Sequence, residues 1–239
     1  MANTGDIIKV DFVGTEKETG VIFDTSSESK AKEAGIFNDK IKYSPLVFIV
    51  GDKEILPALE EEILKMKAGE QKEINLTADK AFGERNPEFI KVVALQEFRN
   101  RNINPFPGLV VELNNLSGRV QSISGGRVRV DFNHPLAGKN VMFDVKVLEN
   151  VAESKAKAEL LFSKYFDFLD KSALSIKDKE ATVKIPADKG MQSVHAIKVK
   201  RLFARKLMKI TNIEKVTFQE EFLKTDKKGK EDEEQDTDE

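Results

Sequence analysis

Residues 43–70 read YSPLVFIVGDKEILPALEEEILKMKAGE, and two hydrophobic periodicities meet inside them. The first part, PLVFIVG, is a short apolar run bounded by Pro45 and Gly51, the pattern of a strand. The second, ILPALEEEILKMKAGE (55–70), places Leu56, Leu59, Ile63 and Met66 on one helical face. Pro57 suits the first turn, where its missing N–H is not needed. Glu60, Glu61 and Glu62 complement the positive end of the helix dipole and read as a solvated face, Lys65 and Lys67 lie toward the negative end, and Gly69 is placed to cap it. A third segment, QKEINLTA (71–78), alternates at Ile74 and Leu76 as a strand does.

On the N-terminal side, IIKVDFVGT (7–15) alternates Ile8, Val10 and Phe12 with Lys9 and Asp11, and VIFDTS (21–26) follows a turn-like ETG, which together predict a hairpin. The polar stretch from Ser26 to Ser44 predicts a long loop with a helical turn at ESKAKEA. On the C-terminal side comes DKAFGERNP (79–87), a charged loop carrying a single aromatic ring. From Asn86 to Phe132 the texture changes to NINPFPG, VVEL, GRVQSI, the turn SGG and RVRVDF, a small antiparallel sheet. VMFDVKVLEN (141–150) alternates cleanly and predicts a closing strand. Beyond Val151 the periodicities predict helix, strand, helix and strand, the second helix carrying Ala196, Val199, Phe203, Leu207 and Ile210 on one face. The tail TDKKGKEDEEQDTDE has no apolar anchor and predicts disorder.

Composition excludes several chemistries. A chain of 239 residues with formal net charge −2 is no general nucleic-acid binder, since phosphate contacts need clustered Lys and Arg. The helix KVKRLFARKLMK is the one basic segment that resembles a nucleic-acid or membrane surface, and its apolar positions fit a core-facing stripe better. There is no cysteine, hence no disulfide, thiolate nucleophile or thiolate metal site, and His134 and His195 are the only histidines. No metal or cofactor is expected. No segment is long and apolar enough to span a bilayer and the N-terminus lacks a leader pattern, so the expected location is the cytoplasm.

The ordered segments YSPLVFIVGDKEILPALEEEILKMKAGE, ADKAFGERNP and DFNHPLAGKNVMFDVKVLE together resemble the FKBP-type peptidyl-prolyl cis/trans isomerases, and DFNHPLAGKN resembles especially the SlyD-like and archaeal long-type branch. The resemblance covers Ile7 to Val151 if 87–131 is an insertion. It implies an α+β fold, a twisted antiparallel sheet wrapped on the short helix that starts near Pro57. It divides the chain into an isomerase domain (1–86 and 132–152), an insert-in-flap domain (87–131), a C-terminal α-β-α-β domain (153–224) and an acidic tail (225–239). Carried over by position, the catalytic residues are Asp24, Phe12, Phe82 and Phe143, and the substrate groove adds Phe23, Leu46, Ile55, Leu56 and Leu59. Taken singly, these aromatics would be core residues and Asp24 would cap a turn.

Two departures bear on ligands. Leu59 stands where many members place Trp, and Phe12 and Phe82 where many place Tyr, which weakens the case for macrolide binding. In relatives that carry it, the insert binds unfolded chains. Here Ile103, Phe106 and Leu109 either form an exposed patch for extended polypeptide or fill the insert's own core. The expected partners are unfolded or nascent polypeptides with X-Pro bonds, with no nucleic acid and no membrane. A two-stranded C-terminal sheet would leave a free edge, pointing to a homodimer. The competing reading is a chaperone or peptide-binding module with little or no turnover.

Overall fold

The computed structural model describes residues 2–186 and 194–221, with the side chains of Val194 and His195 left out. The expected disordered tail (225–239) and the side chain of His195 therefore lie outside the described residues. The chain divides into two compact units, one of residues up to Thr4 with Ile8–Asn150, the other of Gly5–Ile7 with the residues from Val151 onward.

The first unit is built on β1 (Ile7–Glu16), β2 (Ile22–Thr25), α1 (Glu28–Glu33), β3 (Leu46–Ile49), α2 (Pro57–Ile63) and β4 (Gln71–Leu76), with a long closing strand β9 (Val141–Val151) after the insert. The sheet runs β2-β1-β9-β4, and β3 pairs with β1. Gly20, with φ +72°, turns the β1–β2 hairpin by donating its N–H to the Glu16 carbonyl at 2.8 Å. Ser27 caps α1 by accepting the Lys30 N–H. The core is where the two periodicities predict it: Leu59, Ile63 and Met66 from the helical segment pack with Ile8, Val10, Phe48, Ile74, Phe143 and Val145 from the sheet. Burying each large apolar side chain stabilises by about 1.5–3 kcal/mol, so one face of a two-turn helix is enough to anchor the sheet.

Three details of α2 differ from the sequence reading. Pro57 does open the helix, but it ends at Ile63, before Lys65 and Lys67. Gly69 caps nothing: at φ +88° it donates its N–H to the Val147 carbonyl at 2.8 Å and ties the segment to β9. Glu60 is not solvated. It is 9 % exposed and its Oε1 accepts the Gly51 N–H at 2.6 Å, because the turn after β3 brings that orphan amide over the first turn of α2.

Between β4 and β9 lie β5 (Ile90–Ala94), α3 (Leu95–Asn100), β6 (Val110–Leu113), β7 (Leu116–Ser124) and β8 (Arg127–Asp131), a four-stranded antiparallel sheet ordered β5-β8-β7-β6. Its separate core is Phe98, Val111, Leu113, Val120, Val128 and Val130. The sequence reading did not contain β5 and α3. IKVVALQEF has no Gly or Pro between strand and helix, and its apolar residues satisfy both periods.

The second unit contains α4 (Ser154–Tyr165), β10 (Leu174–Lys177), β11 (Glu180–Pro186), α5 (Val194–Ile210) and β12 (Lys215–Glu221). β11 and β12 are parallel and β10 is antiparallel to β11. The sheet thus has three strands rather than the expected two. Asp178, at φ +53°, makes the tight β10–β11 turn, a conformation Asp tolerates better than most residues. Phe162, Phe166 and Phe203 are fully buried. Lys157 and Asp6 form a buried ion pair at 2.9 Å, which ties the short piece Gly5–Ile7 to α4 within this unit.

Candidate active site

A cavity of about 450 Å³ opens between the concave face of the first sheet and α2. All nine groove residues expected from the sequence line it: Phe12, Phe23, Asp24, Leu46, Ile55, Leu56, Leu59, Phe82 and Phe143. Asp24 and Glu54 are its ionisable lining residues. Its most buried lining residues are Val10, Ile63 and Val145, followed by Phe143 and Leu59.

The aromatic walls are held by one another. Phe23 meets both Phe82 and Phe143 edge to face, with ring centroids 5.8 and 5.7 Å apart and planes at 88° and 89°, the arrangement ring quadrupoles favour. Phe12 packs tilted on Phe143 at 6.5 Å. Phe82 also stacks on His134, centroids 4.6 Å apart and planes 3° from parallel. His134 Nδ1 in turn accepts the Leu136 N–H at 3.2 Å, so the histidine organises its own loop while also backing a pocket wall.

The backbone around these rings is equally determined. The strand position of Phe12 is locked from both sides: its N–H donates to Ser26 Oγ at 3.0 Å, and its carbonyl accepts from Thr25 Oγ1 at 3.0 Å and from the Ser26 N–H at 3.0 Å. Ser26 Oγ in turn donates a hydrogen bond to Asp11 Oδ1 at 2.9 Å. Asp24 is exposed, and its Oδ1 accepts the Thr25 N–H at 2.8 Å, the local turn-forming bond that its sequence neighbours suggest. The loop carrying Phe82 is braced by Gly83. At φ +80° it donates its N–H to the Ala78 carbonyl at 2.8 Å, and its own carbonyl accepts the Gly138 N–H at 2.8 Å. In the same loop a hydrogen bond from the Thr77 side chain holds the Asp79 carboxyl below the usual range.

Sequence reasoning missed Gly14, Thr25, Ser26 and the stacking role of His134. A Cβ on Gly14 would stand 2.7 Å from Phe23 Cζ and 3.1 Å from Phe143 Cε1, so this glycine is the gap into which both rings fit. A glycine inside an alternating strand is a sign of such close approach, and VDFVGT carries it. The Thr25–Ser26 bonds cross between strands and leave no spacing signal.

In the insert, Ile103 and Leu109 are half-buried against its core, while Phe106 is 57 % exposed. The apolar surface there is wider than the sequence suggested, since Phe89, Val92, Val110 and Leu116 are also exposed. Among the described residues no cluster of His, Cys, Asp and Glu could hold a metal ion, and no helix is long and apolar enough to cross a membrane.

Residues 1–99 match the family model described as FKBP-type peptidyl-prolyl cis-trans isomerase, and residues 91–136 match one described as FKBP26, IF domain. A short-type peptidyl-prolyl cis-trans isomerase of Methanocaldococcus jannaschii is 32 % identical over 143 residues, covering 60 % of this chain and 90 % of the relative. An FKBP-type 16 kDa isomerase of Escherichia coli K12 is 34 % identical over 110 residues, 44 % of this chain and 73 % of the relative. SlyD of Helicobacter pylori is 30 % identical over 128 residues, 51 % and 69 % respectively. The chain belongs to the FKBP-type peptidyl-prolyl cis-trans isomerases. It is a mixed α+β enzyme of that class, with SlyD among its relatives.

Proposed function

We propose that the aromatic cavity is the isomerase site and acts on X-Pro bonds of unfolded polypeptide, while the inserted sheet holds the chain. The observation that carries this is the convergence of Phe12, Phe23, Phe82 and Phe143 on one 450 Å³ cavity with Asp24 at its mouth. Rotation about an X-Pro bond faces a barrier of about 18–20 kcal/mol because amide resonance must be broken, yet no bond is made or cleaved. The twisted transition state is less dipolar at its carbonyl than either planar isomer. A desolvated aromatic wall therefore disfavours the planar ground state more, and each tenfold of acceleration requires only about 1.4 kcal/mol of that difference.

In this reading Phe82 and Phe143 clasp the prolyl ring, Asp24 organises hydrogen bonds at the turning amide, and the Leu56 N–H, at the open start of α2, anchors a substrate carbonyl. The exposed apolar side chains of the insert (Phe106, Val92 and Val110), with the half-buried Ile103 and Leu109, supply contact area for extended clients and give the protein a holdase activity. Its separate core favours treating 87–131 as a domain in its own right. We place the protein in the cytoplasm. We also retain the homodimer, through the open edges β10 and β12 of the C-terminal sheet; sedimentation at micromolar concentration giving only a 26.9 kDa species would remove it.

The deciding experiment uses two readouts on the same folded variants: the cis/trans relaxation of a short X-Pro peptide, and suppression of aggregation of a denatured protein. Phe143→Ala and Asp24→Ala should each lower kcat/KM at least tenfold and leave aggregation suppression within twofold. Equal loss of both readouts in a folded variant would show that pocket and holding surface are one site.

A further inference from the structure

Phe82 lines the prolyl cavity and stacks on His134, which lines a second cavity of about 710 Å³. This second cavity has a built wall. The Phe132 ring fills the space over Gly118, where a Cβ would stand 2.6 Å from Phe132 Cδ1, and Leu136 and the 57 % exposed Val110 add apolar surface beside it.

The charges on its lining are unequally satisfied. Asp131 is paired with Arg85 and also accepts from Gln121 and Asn133, and Lys139 is bound to Glu16 at 2.7 Å. Burial pushes the Asp131 carboxyl up, but the Asn133 hydrogen bonds and Arg85 outweigh it and hold the carboxyl below its ordinary range. Arg119, directly across the strand pair from Asp131, donates only to the Gly108 carbonyl, at 3.3 Å, and among the described residues no carboxylate lies within ion-pair distance of it. The cavity therefore offers an apolar wall and one guanidinium that, among the described residues, has no ion-pair contact, the side chain best suited to a carboxylate.

We propose that this cavity is a second subsite for the same client chain and takes an acidic side chain a few residues from the proline. The inference rests on the reading of the Phe82 cavity as the prolyl site. Because one stacked ring pair contributes a ring to each cavity, a chain running from one to the other covers on the order of 10 Å, roughly three extended residues at about 3.3 Å each. An exposed Arg–carboxylate pair contributes modestly, so the expected discrimination is about three- to fivefold.

The test is a set of X-Pro peptides bearing a single Glu or Lys at each position from the third before to the third after the proline. Both turnover and binding by fluorescence anisotropy are measured on the intact protein. At one position near the third, Glu should lower KM and Kd about three- to fivefold relative to Lys, and 1 M salt should erase the difference. Arg119→Met should bring the Glu/Lys ratio to near one and Arg119→Glu should invert it. Glu and Lys behaving alike at every position, or a preference that survives Arg119→Met, overturns the subsite. Peptides that bind with the expected Glu preference but are not turned over would instead count against the prolyl reading and leave the subsite standing.

Discussion

At the scale of single residues, the site depends on positions that contribute no chemistry. Gly14 is the sharpest case, because the added methyl of Gly14→Ala would sit 2.7 Å from the Phe23 ring and push it against Phe82 and Phe143. Overpacking of this kind costs about 1–3 kcal/mol. The variant should melt several degrees lower and lose about tenfold in kcat/KM by peptide relaxation; unchanged activity would mean the rings repack freely. Glu62 carries a pH signature. Its two oxygens face Lys65 at 2.5 Å and Lys72 at 2.8 Å, and the Lys65 hydrogen bond, then that from Lys72, lowers its pKa from the ordinary 4.5 to about 2. A depressed carboxylate pKa means the pair's small stabilisation is complete above about pH 5 and is lost as the pH falls toward 2. A carboxyl NMR titration of Glu62 with its midpoint near 4.5 would show that these bridges do not persist in solution.

At the scale of elements, α2 sits where it does for two reasons with different visibility. The apolar stripe Leu59, Ile63 and Met66 is legible in the sequence and supplies the packing. The Glu60–Gly51 bond is not legible, because three consecutive glutamates look alike until the β3 turn places one amide over one carboxylate. Glu60→Ala should leave that N–H without a partner and cost about 1–3 kcal/mol in denaturant unfolding, whereas Glu61→Ala, on the exposed side, should change stability by less than about 0.5 kcal/mol. β5, α3 and β10 escaped the sequence reading for related reasons. Short segments without Gly or Pro punctuation satisfy strand and helix periods alike, and only their neighbours in β8 and β11 decide between them.

At the scale of the whole molecule, the two ends of the insert are tied to each other where they leave the isomerase fold. The Asn86 N–H donates to Asn133 Oδ1 at 2.8 Å and Asn133 Nδ2 donates back to the Asn86 carbonyl at 2.9 Å. Because that clasp and the core under the sheet use residues outside 87–131, excising the insert and rejoining its ends should leave acceleration of a short X-Pro peptide within about threefold. Aggregation suppression should fall by most of its value. A shortened protein that is folded by circular dichroism and yet inactive on the short peptide would place part of the prolyl site in the insert.

What the sequence by itself determined was the set of main elements of the first unit, the apolar face of α2 and the nine residues that line the cavity. The elements and the helix face follow from periodicity, and the cavity residues from the ordered motifs that resemble the FKBP family; both are local properties of the chain. What only the tertiary structure decided was how those side chains are held. Gly14 makes room for two rings from different strands, Ser26 fixes Phe12 across a hairpin, and His134 backs Phe82 from a loop 52 positions away. Each of these is a contact between segments distant in sequence, set by sheet register and loop closure, and a one-dimensional pattern carries no record of which face meets which.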